Sequence, residues 1–418
     1  MNKQQLAAKI WGSANKLRSK IEANEYKDYI LGFIFYKFLS DKEEQLLRND
    51  GWEADDMAEL TEEDEHSVEY CRNQLGYFIA YDNLFSTWLK KGKAFDVSDV
   101  TDALSAFNRL IAPKHRKVYE KIFDTLDTGL SKLGDTSGAR TKAISNLLQL
   151  IKDIPMDGRE DYDVLGFIYE YLISNFAANA GKKAGEFYTP HGPAQILCRI
   201  AMSGQENKKG LQVYDPCMGS GSLMLSCKNY SSEPDYIKYY GQELMPSTYN
   251  LARMNMFLHG VLPENQHLRN GDTLDADWPT DEETEFDVVT MNPPYSANWS
   301  AAEGFKQDER FMDYGGKLAP KSKADYAFLL HGFYHLKQTG TMAIVLPHGV
   351  LFRGAAEGTI REILLKNGSI YAVIGLPSNM FYNTSIPTCI IVLKKHREGR
   401  DVLFIDASSL FKKERNKM

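Results

Sequence analysis

The segment Leu211-Gln-Val-Tyr-Asp-Pro-Cys-Met-Gly-Ser-Gly-Ser222 predicts a strand that ends at Asp215, then a glycine turn and the start of a helix. Gly219 and Gly221 let the backbone bend sharply and approach a ligand, as in nucleotide-binding turns. The segment lacks the glycine spacing of a dinucleotide site and the Gly-Lys-Ser/Thr of a P-loop. An acidic strand end repels a pyrophosphate and suits a cationic or amine-bearing ligand. A sulfonium nucleotide therefore fits this turn better than NAD or ATP.

Outward from this turn, short β-rich runs alternate with helical ones, which predicts an α/β fold with a parallel, doubly wound sheet. In such a sheet, ligands bind at the carboxyl ends of the strands. A further short strand is expected near His267–Arg269. The other predicted strands are Leu211–Asp215, Ile237–Glu243, Phe286–Met291, Thr341–Leu346, Ile370–Leu376, Thr388–Leu393 and Val402–Ile405.

The amino-terminal part of the chain has a different pattern. Apolar residues recur there at three- and four-residue steps, for example Ile10, Ala14, Leu17 and Ile21, which is typical of amphipathic helices. The sequence therefore predicts a helical domain over residues 1–158 and an α/β domain over residues 159–418.

Composition excludes several classes of protein. The 418 residues carry a net charge of −7 and are 43% apolar, so the chain is neither disordered nor a basic nucleic-acid coat. Its longest apolar run, Tyr29–Leu39, contains Lys37 and is shorter than the about 20 residues that a membrane span needs. The five cysteines form no Cys-x-x-Cys pair. We expect a cytoplasmic protein without a membrane anchor or a bound metal.

Two acidic residues follow the next predicted strands. Glu243 closes the second strand, where a carboxylate can accept hydrogen bonds from both hydroxyls of a ribose. Asp272 follows the short third strand and could accept from an adenine amino group. Either residue alone could be an ordinary surface acid, but together at successive strand ends they predict an adenosine-shaped site.

The fourth predicted strand ends in Asn292-Pro-Pro-Tyr295. Pro293 and Pro294 have no backbone N–H and fix their own φ, so the carbonyls of Asn292 and Pro293 are available to a ligand. The Asn292 amide oxygen and the Pro293 carbonyl could hold both hydrogens of an exocyclic amine and turn its lone pair toward an incoming methyl group. Tyr295 offers a flat face on which a planar base can stack. A simple tight turn is the alternative.

Four segments together resemble the modification subunits of type I restriction-modification systems, which are adenine-N6 DNA methyltransferases that use S-adenosylmethionine. These segments are Asp28–Leu39, Gly185–Pro190, Asp215–Leu223 and Asn292–Tyr295. The resemblance spans nearly the whole chain. It implies a Rossmann-like S-adenosylmethionine-dependent methyltransferase sheet preceded by an all-α domain.

The resemblance also implies roles for individual residues. The target adenine would be flipped out of the duplex, because its amine lies inside the base stack. Asn292, Pro293, Pro294 and Tyr295 would be catalytic, with Tyr295 and Phe381 against the target base; Tyr382 is a rival to Phe381. The cofactor-binding residues would be Glu186, Phe187, Tyr188, Thr189, Pro190, His191, Asp215, Gly219, Ser220, Gly221, Ser222, Glu243 and Asp272.

The segment Ser296–Lys323 contains three glycines and the basic residues Lys306, Arg310, Lys317, Lys321 and Lys323. One interpretation is a mobile surface loop. The other is a loop that DNA orders and that contacts phosphates.

The resemblance implies partners as well: double-stranded DNA, a separate specificity subunit that two such chains flank, and a motor/nuclease restriction subunit. Related subunits usually continue with a further helical segment, so the chain is expected to be either truncated or a short variant. Two alternatives remain open, a protein glutamine N5-methyltransferase and a non-catalytic assembly subunit.

Overall fold

The chain folds into two compact units, Met1–Ala180 with Arg253–Pro263 and Gly181–Ala252 with Glu264–Met418. The computed structural model describes residues 3–17, 23–155, 167–168, 171–172, 189–279, 285–381 and 386–412. The predicted boundary between residues 158 and 159 stays a prediction, because residues 156–166 lie outside these ranges. Among the described helices, none has the length and apolar character that crossing a bilayer requires.

Helices build the first unit around an aromatic core. Tyr36 stacks on Trp88 with ring centroids 4.7 Å apart, and Tyr119 stacks on Phe257 at 4.6 Å. The apolar run that begins at Tyr29 belongs to this core, since most of its side chains are buried. The helices are α1 (Lys3–Leu17), α2 (Ala23–Asn49), α3 (Ala54–Ala58), α4 (Glu65–Gln74), α5 (Phe85–Lys91), α6 (Val97–Leu110), α7 (Arg116–Tyr119), α8 (Asp124–Gly129) and α9 (Ser137–Ile151).

A twisted sheet forms the centre of the second unit. The strands are β1 (Gln212–Asp215), β2 (Lys238–Glu243), β3 (Gln266–Asn270), β4 (Phe286–Met291), β5 (Leu336–Pro347), β6 (Ile370–Gly375), β7 (Thr388–Leu393) and β8 (Leu403–Asp406). Their order across the sheet is β3-β2-β1-β4-β5-β7-β6-β8. Every residue of β1, β4 and β7 is buried, as expected for strands covered on both faces.

The remaining helices are α10 (His191–Met202), α11 (Ser222–Leu225), α12 (Pro246–Leu258), α13 (Asp325–Tyr334) and α14 (Ala355–Lys366). Helices α10 and α13 pack against β4 and β5. Gly332 of α13 permits close packing, because a Cβ there would lie 2.8 Å from the Met291 side chain and 3.2 Å from that of Val289.

The expectation of a parallel sheet was wrong for one strand. Strand β7 is antiparallel to both of its neighbours, β5 and β6. A parallel pair needs a crossover connection, usually a helix. Between Gly375 and Thr388 the described residues form no helix, so β7 returns beside β6 in the opposite direction.

The order of the strands reverses between β1 and β4. Strand β1 lies between β2 and β4 and is parallel to both, with Val213 opposite Tyr239 on one side and Val288 on the other. Strands β3 and β5 extend this parallel arrangement outward. The carboxyl ends of β1, β2, β3 and β4 therefore meet at one edge of the sheet, which we call the carboxyl edge.

Candidate functional site

Asp215 is the last residue of β1 and is buried. Its Oδ1 accepts a hydrogen bond of 2.9 Å from the backbone N–H of Cys217. Its Oδ2 is also buried and has no hydrogen-bond partner among the described residues. Burial, together with the nearby Glu243 carboxylate, raises the pKa of Asp215 to about 8, although the Cys217 N–H favours the ionised form. The Asp215 carboxyl group therefore has room for one more hydrogen-bond donor or positive charge, and a ligand could supply it.

The turn after Asp215 requires its glycines. Gly219 and Gly221 have φ of +53° and +77°, values that residues with a Cβ rarely adopt. A hydrogen bond of 3.0 Å from the Met218 N–H to the Gln242 carbonyl ties the turn to β2. The Ser220 and Ser222 hydroxyls lie 3.0 Å apart at the tip. The turn is thus held in place while its hydroxyls and open backbone stay at the carboxyl edge.

Glu243 and the loop after β3 are joined at the same edge. The Glu243 backbone carbonyl accepts from the Gly271 N–H at 3.0 Å and from Asn270 Nδ2 at 2.7 Å. Its side chain Oε1 accepts from the Met245 N–H at 2.8 Å. Asp272 is exposed, and its Oδ1 accepts from the Leu274 N–H at 2.9 Å. Both predicted carboxylates therefore lie at the carboxyl edge beside Asp215.

Asn292 follows β4 and is held at both ends of its amide. Its Nδ2 donates to the hydroxyl oxygen of Thr189 at 3.0 Å, and its Oδ1 accepts from the Tyr295 hydroxyl at 2.7 Å. Burial raises the pKa of Tyr295 well above its usual value, so the phenol keeps its proton and acts as the donor. Pro293 is buried and Pro294 is half-buried. The amide that the sequence singled out is thus fixed in orientation.

Phe381 lies beside Tyr295. The two ring centroids are 6.1 Å apart and the rings are nearly perpendicular, at 87°. Phe381 is 4% exposed. Its rival Tyr382 lies outside the described residues.

The predicted segment Glu186–His191 is described only in part. Glu186, Phe187 and Tyr188 lie outside the described residues. Thr189 and Pro190 are buried, and His191 is exposed at the start of α10. The structure therefore brings Thr189 to Asn292, while the predicted cofactor contacts of this segment stay predictions.

A buried ion-pair network supports the chain just after Tyr295, and the sequence patterns did not reveal it. The backbone N–H of Ser296 donates to Asp325 Oδ1 at 2.7 Å. The other oxygen of Asp325 accepts from Arg353, which also binds Glu357. Asp325 and Glu357 are nearly fully buried. Asp325 and Glu357 lie on different helices, α13 and α14, and acidic residues are usually exposed, so no sequence signal identified this network.

The segment Ser296–Lys323 is not an open loop; its aromatic residues join the hydrophobic core that also contains Tyr214 of β1 and Phe328 of α13. Trp299, Phe305 and Phe311 contact one another with ring centroids between 5.3 and 5.9 Å apart. Trp299 Nε1 donates to the backbone carbonyls of Ala319 and Pro320. Part of the segment is therefore packed, while its mobility and its contact with DNA stay predictions.

Arg310 does not act as a phosphate contact in this segment. It is 2% exposed, and it donates to both oxygens of Asp308 and to the Thr273 carbonyl, at 3.0 Å for the latter. Although burial opposes ionisation, Arg310 holds the pKa of Asp308 below its usual value. Arg310 thus fastens the segment to the loop that carries Asp272. Lys317 and Lys321 remain exposed.

Comparisons with known proteins identify the family. Residues 160–418 match the family model described as N-6 DNA Methylase, and residues 6–151 match the HsdM N-terminal domain. The chain belongs to the N-6 DNA methylase family. The family and the type of enzyme predicted from the sequence, an adenine-N6 DNA methyltransferase subunit, are confirmed.

Individual relatives of this methylase agree with that assignment. The methylase subunit of the type I restriction enzyme MpnII of Mycoplasma pneumoniae is 36% identical over 97% of this chain and 79% of that protein. The type I restriction-modification system methyltransferase subunit from Streptococcus thermophilus is 48% identical in sequence. Its crystal structure superimposes with a TM-score of 0.91, covering 100% of this chain and 90% of that chain.

A more distant structure bears on the fold alone. A class I S-adenosylmethionine-dependent methyltransferase from Listeria monocytogenes superimposes with a TM-score of 0.52 at 16% identity, covering 71% of this chain and 95% of that chain. The predicted Rossmann-like methyltransferase fold is therefore confirmed. The family match favours a DNA methylase over a glutamine N5-methyltransferase.

One cluster in this methylase has side chains of the kind that bind metals. In the part of the chain that the structure describes, Asp277, His331 and His335 offer ligand atoms within 4.8 Å of one another. However, His331 contacts Arg310 through Nδ1 at 3.2 Å and the Tyr214 hydroxyl through Nε2 at 2.7 Å. Burial, with His335 and Arg310 nearby, lowers the pKa of His331 well below its usual value. A neutral histidine with both nitrogens engaged beside a guanidinium is a poor cation site.

We expect Arg310→Lys to destabilise the methylase, because one ammonium cannot replace the fork of N–H groups that Asp308, Thr273 and His331 share. The free energy of unfolding should fall by about 2 kcal/mol, measured by urea denaturation. Limited proteolysis should then cut within residues 296–323. Lys317→Met, at an exposed position of the same segment, is the control and should leave the urea midpoint unchanged. An unchanged midpoint in Arg310→Lys would contradict the role given to Arg310.

Proposed function

We propose that the carboxyl edge binds S-adenosylmethionine and one flipped adenine of double-stranded DNA, and that the chain transfers the methyl group to the adenine N6 amine. The observation that carries this proposal is the Asn292 amide. It is buried, fixed by two hydrogen bonds, and follows β4, which pairs directly with the strand that ends in Asp215. Such a preorganised acceptor suits an amine whose lone pair must be exposed for reaction.

The residues at the carboxyl edge fit S-adenosylmethionine. The unpartnered, buried Asp215 Oδ2 suits the ammonium group of its methionine part. A Cβ at Gly219 would meet no atom within 4 Å, so the turn leaves room beside it. Glu243 would hold the ribose and Asp272 the adenine edge, and Ser220, Gly221 and Ser222 would line the turn, as would Glu186–His191 in their predicted role. When bound, the cofactor supplies an electrophilic methyl group on its sulfonium.

Asn292 and Pro293 would orient the target amine. An amide oxygen has two acceptor sites, and the Tyr295 hydroxyl uses one of those on Asn292 Oδ1. The second site and the Pro293 carbonyl would accept the two amine hydrogens. Pro293 and Pro294 bring no competing backbone N–H. The lone pair of the amine nitrogen is then turned out of the plane of the base, toward the methyl group.

Tyr295 and Phe381 would hold the flipped base. Because their rings are nearly perpendicular, a planar base can stack face to face on only one of them. We assign the stacking face to Tyr295 and an edge contact to Phe381. Stacking on an aromatic side chain stabilises an extruded base by about 1–3 kcal/mol, which offsets part of the cost of flipping.

The partners follow from the family. The relatives are named as subunits of type I restriction enzymes, and the net charge of −7 disfavours tight binding to bare DNA. We propose that a separate specificity subunit, flanked by two copies of this chain, supplies sequence recognition, and that a motor/nuclease subunit joins for restriction. We also propose residues 1–158 as the helical domain and residues 159–418 as the methyltransferase domain.

Asn292→Ala should slow adenine methylation by at least about 100-fold and leave cofactor binding nearly intact. Loss of one preorganised polar group raises the barrier by on the order of 3 kcal/mol. The chain is co-expressed with its specificity subunit in a host without adenine methyltransferases, and N6-methyladenine is mapped in the genome. Asn207→Ala, at an exposed asparagine before β1, is the matched control. Wild-type methylation in Asn292→Ala would refute the proposal.

Cofactor affinity should depend on the ionisation of Asp215. Its pKa of about 8 leaves many molecules protonated at neutral pH, whereas a cationic ligand binds the carboxylate. Binding then releases the proton, so affinity should rise from about pH 6 to about pH 8 and level off above. Calorimetry of the wild type and Asp215→Asn tests this, because the variant retains only the titration of the cofactor itself. The same pH profile in both proteins would contradict the role of Asp215.

We further propose that Lys317 and Lys321 contact DNA phosphates. Their double charge reversal to Glu should reduce the slope of log affinity against log salt in the assembled enzyme by about 1 for each lost contact. Lys209→Glu, at an exposed lysine near the opposite edge of the sheet, should leave the slope unchanged. An unaltered slope in the double variant would show that the segment does not touch the DNA backbone.

A further inference from the structure

The hydrogen bond between Thr189 and Asn292 joins two segments that are 103 residues apart. Thr189 is 8% exposed and Asn292 is 6% exposed, so little water competes for this bond. In the resemblance to modification subunits, Thr189 belongs to a cofactor-binding segment. Its observed contact is instead with the side chain proposed to orient the target amine.

The orientation of the amide decides what the target base meets. An amide presents an acceptor at its oxygen and two donors at its nitrogen. Rotated by half a turn, Asn292 would point N–H groups at an amine that also donates, and the interaction would be lost. The observed lengths agree with the productive orientation: 3.0 Å to Thr189 is usual for N–H···O, and 2.7 Å from Tyr295 is usual for O–H···O.

The backbone on the carboxyl-terminal side of Thr189 restricts the position of its side chain. Pro190 follows it, which restricts Thr189 to extended conformations. The Pro190 carbonyl accepts from the Ala194 N–H at 3.1 Å and so begins α10. Ala194, Leu197 and Cys198 of that helix are buried. The hydroxyl of Thr189 therefore keeps a fixed place relative to the carboxyl edge.

We propose that Thr189 is a positioning residue for methyl transfer: its hydroxyl oxygen holds Asn292 Nδ2 and thereby keeps Asn292 Oδ1 directed at the target amine. This inference rests on the proposed function, which it deepens. The contact with Asn292 uses the Thr189 oxygen as acceptor and leaves its hydroxyl hydrogen for another partner. A role in cofactor binding is thus a separate property, and experiment can separate the two.

The test compares Thr189→Val, which keeps the shape and removes the hydroxyl, with Thr189→Ser, which keeps the hydroxyl. Each variant is assembled with the specificity subunit, and single-turnover methylation of a duplex with one target site is measured at saturating S-adenosylmethionine. Thr189→Val should be about 10- to 100-fold slower, while Thr189→Ser should recover most of the rate. The dissociation constant for the cofactor is measured separately by calorimetry; binding shows that the site is folded, and saturating cofactor keeps any loss of a predicted cofactor contact by Thr189 out of the measured rate.

A second comparison uses Asn292→Ala as the background. If Thr189 acts through Asn292, adding Thr189→Val to Asn292→Ala should not slow the residual reaction further. A further loss in the double variant would overturn the proposal. So would an unchanged rate in Thr189→Val with weaker cofactor binding, which would make Thr189 a cofactor contact.

Failure of the two proposals can be told apart. If the wild type methylates adenine and Asn292→Ala does not, the proposed function stands whatever Thr189→Val does. If the wild-type assembly leaves adenine unmethylated, the proposed function fails and the inference about Thr189 fails with it.

Discussion

Parallel pairing of β1 with both β2 and β4 is the constraint on which the site depends. Parallel strands end at the same edge of a sheet, and the strand order reverses between β1 and β4, which is where ligands bind in open α/β sheets. Asp215, Glu243 and Asn292 are therefore neighbours although up to 77 residues separate them along the chain. A shift of register by one residue would turn the Asp215 and Asn292 side chains to the other face.

The ionised form of Asp215 is destabilised by burial, and a cationic ligand would stabilise it. Asp215 is buried with one oxygen unpartnered, and Glu243 raises its pKa further. A structure selected for stability alone would satisfy such a group or replace it. Elsewhere in the same unit, buried charges are paired: Asp325 binds Arg353, and Asp308 binds Arg310. This contrast indicates that the unpartnered Asp215 oxygen at the carboxyl edge is available to a bound ligand.

The strands and the residues at their carboxyl ends could be predicted from the sequence, whereas side-chain contacts between distant segments could not. Strands β1 and β4 are β-rich runs followed by chemically distinctive residues, so their positions and the edge that they share could be predicted from the sequence pattern. The bond from Asn292 to Thr189 joins distant segments and involves a common residue type, so no spacing indicates it. Arg310 illustrates the opposite difficulty. Basic residues in a glycine-containing segment suggest a solvent-exposed loop, yet its aromatic residues build a core that buries the guanidinium against Asp308 and the Thr273 carbonyl.

Strand β7 was predicted at Thr388–Leu393, but its antiparallel direction was not. Strand β6 runs in the same direction as β5, since β7 is antiparallel to both. The carboxyl end of β6 at Gly375 and the start of β7 at Thr388 therefore lie at the carboxyl edge. Had β7 been parallel, the chain would have had to cross to the other edge before re-entering the sheet. Phe381 follows β6 at that edge and lies against Tyr295, so this departure from a parallel sheet goes with a second ring at the place where a base would stack.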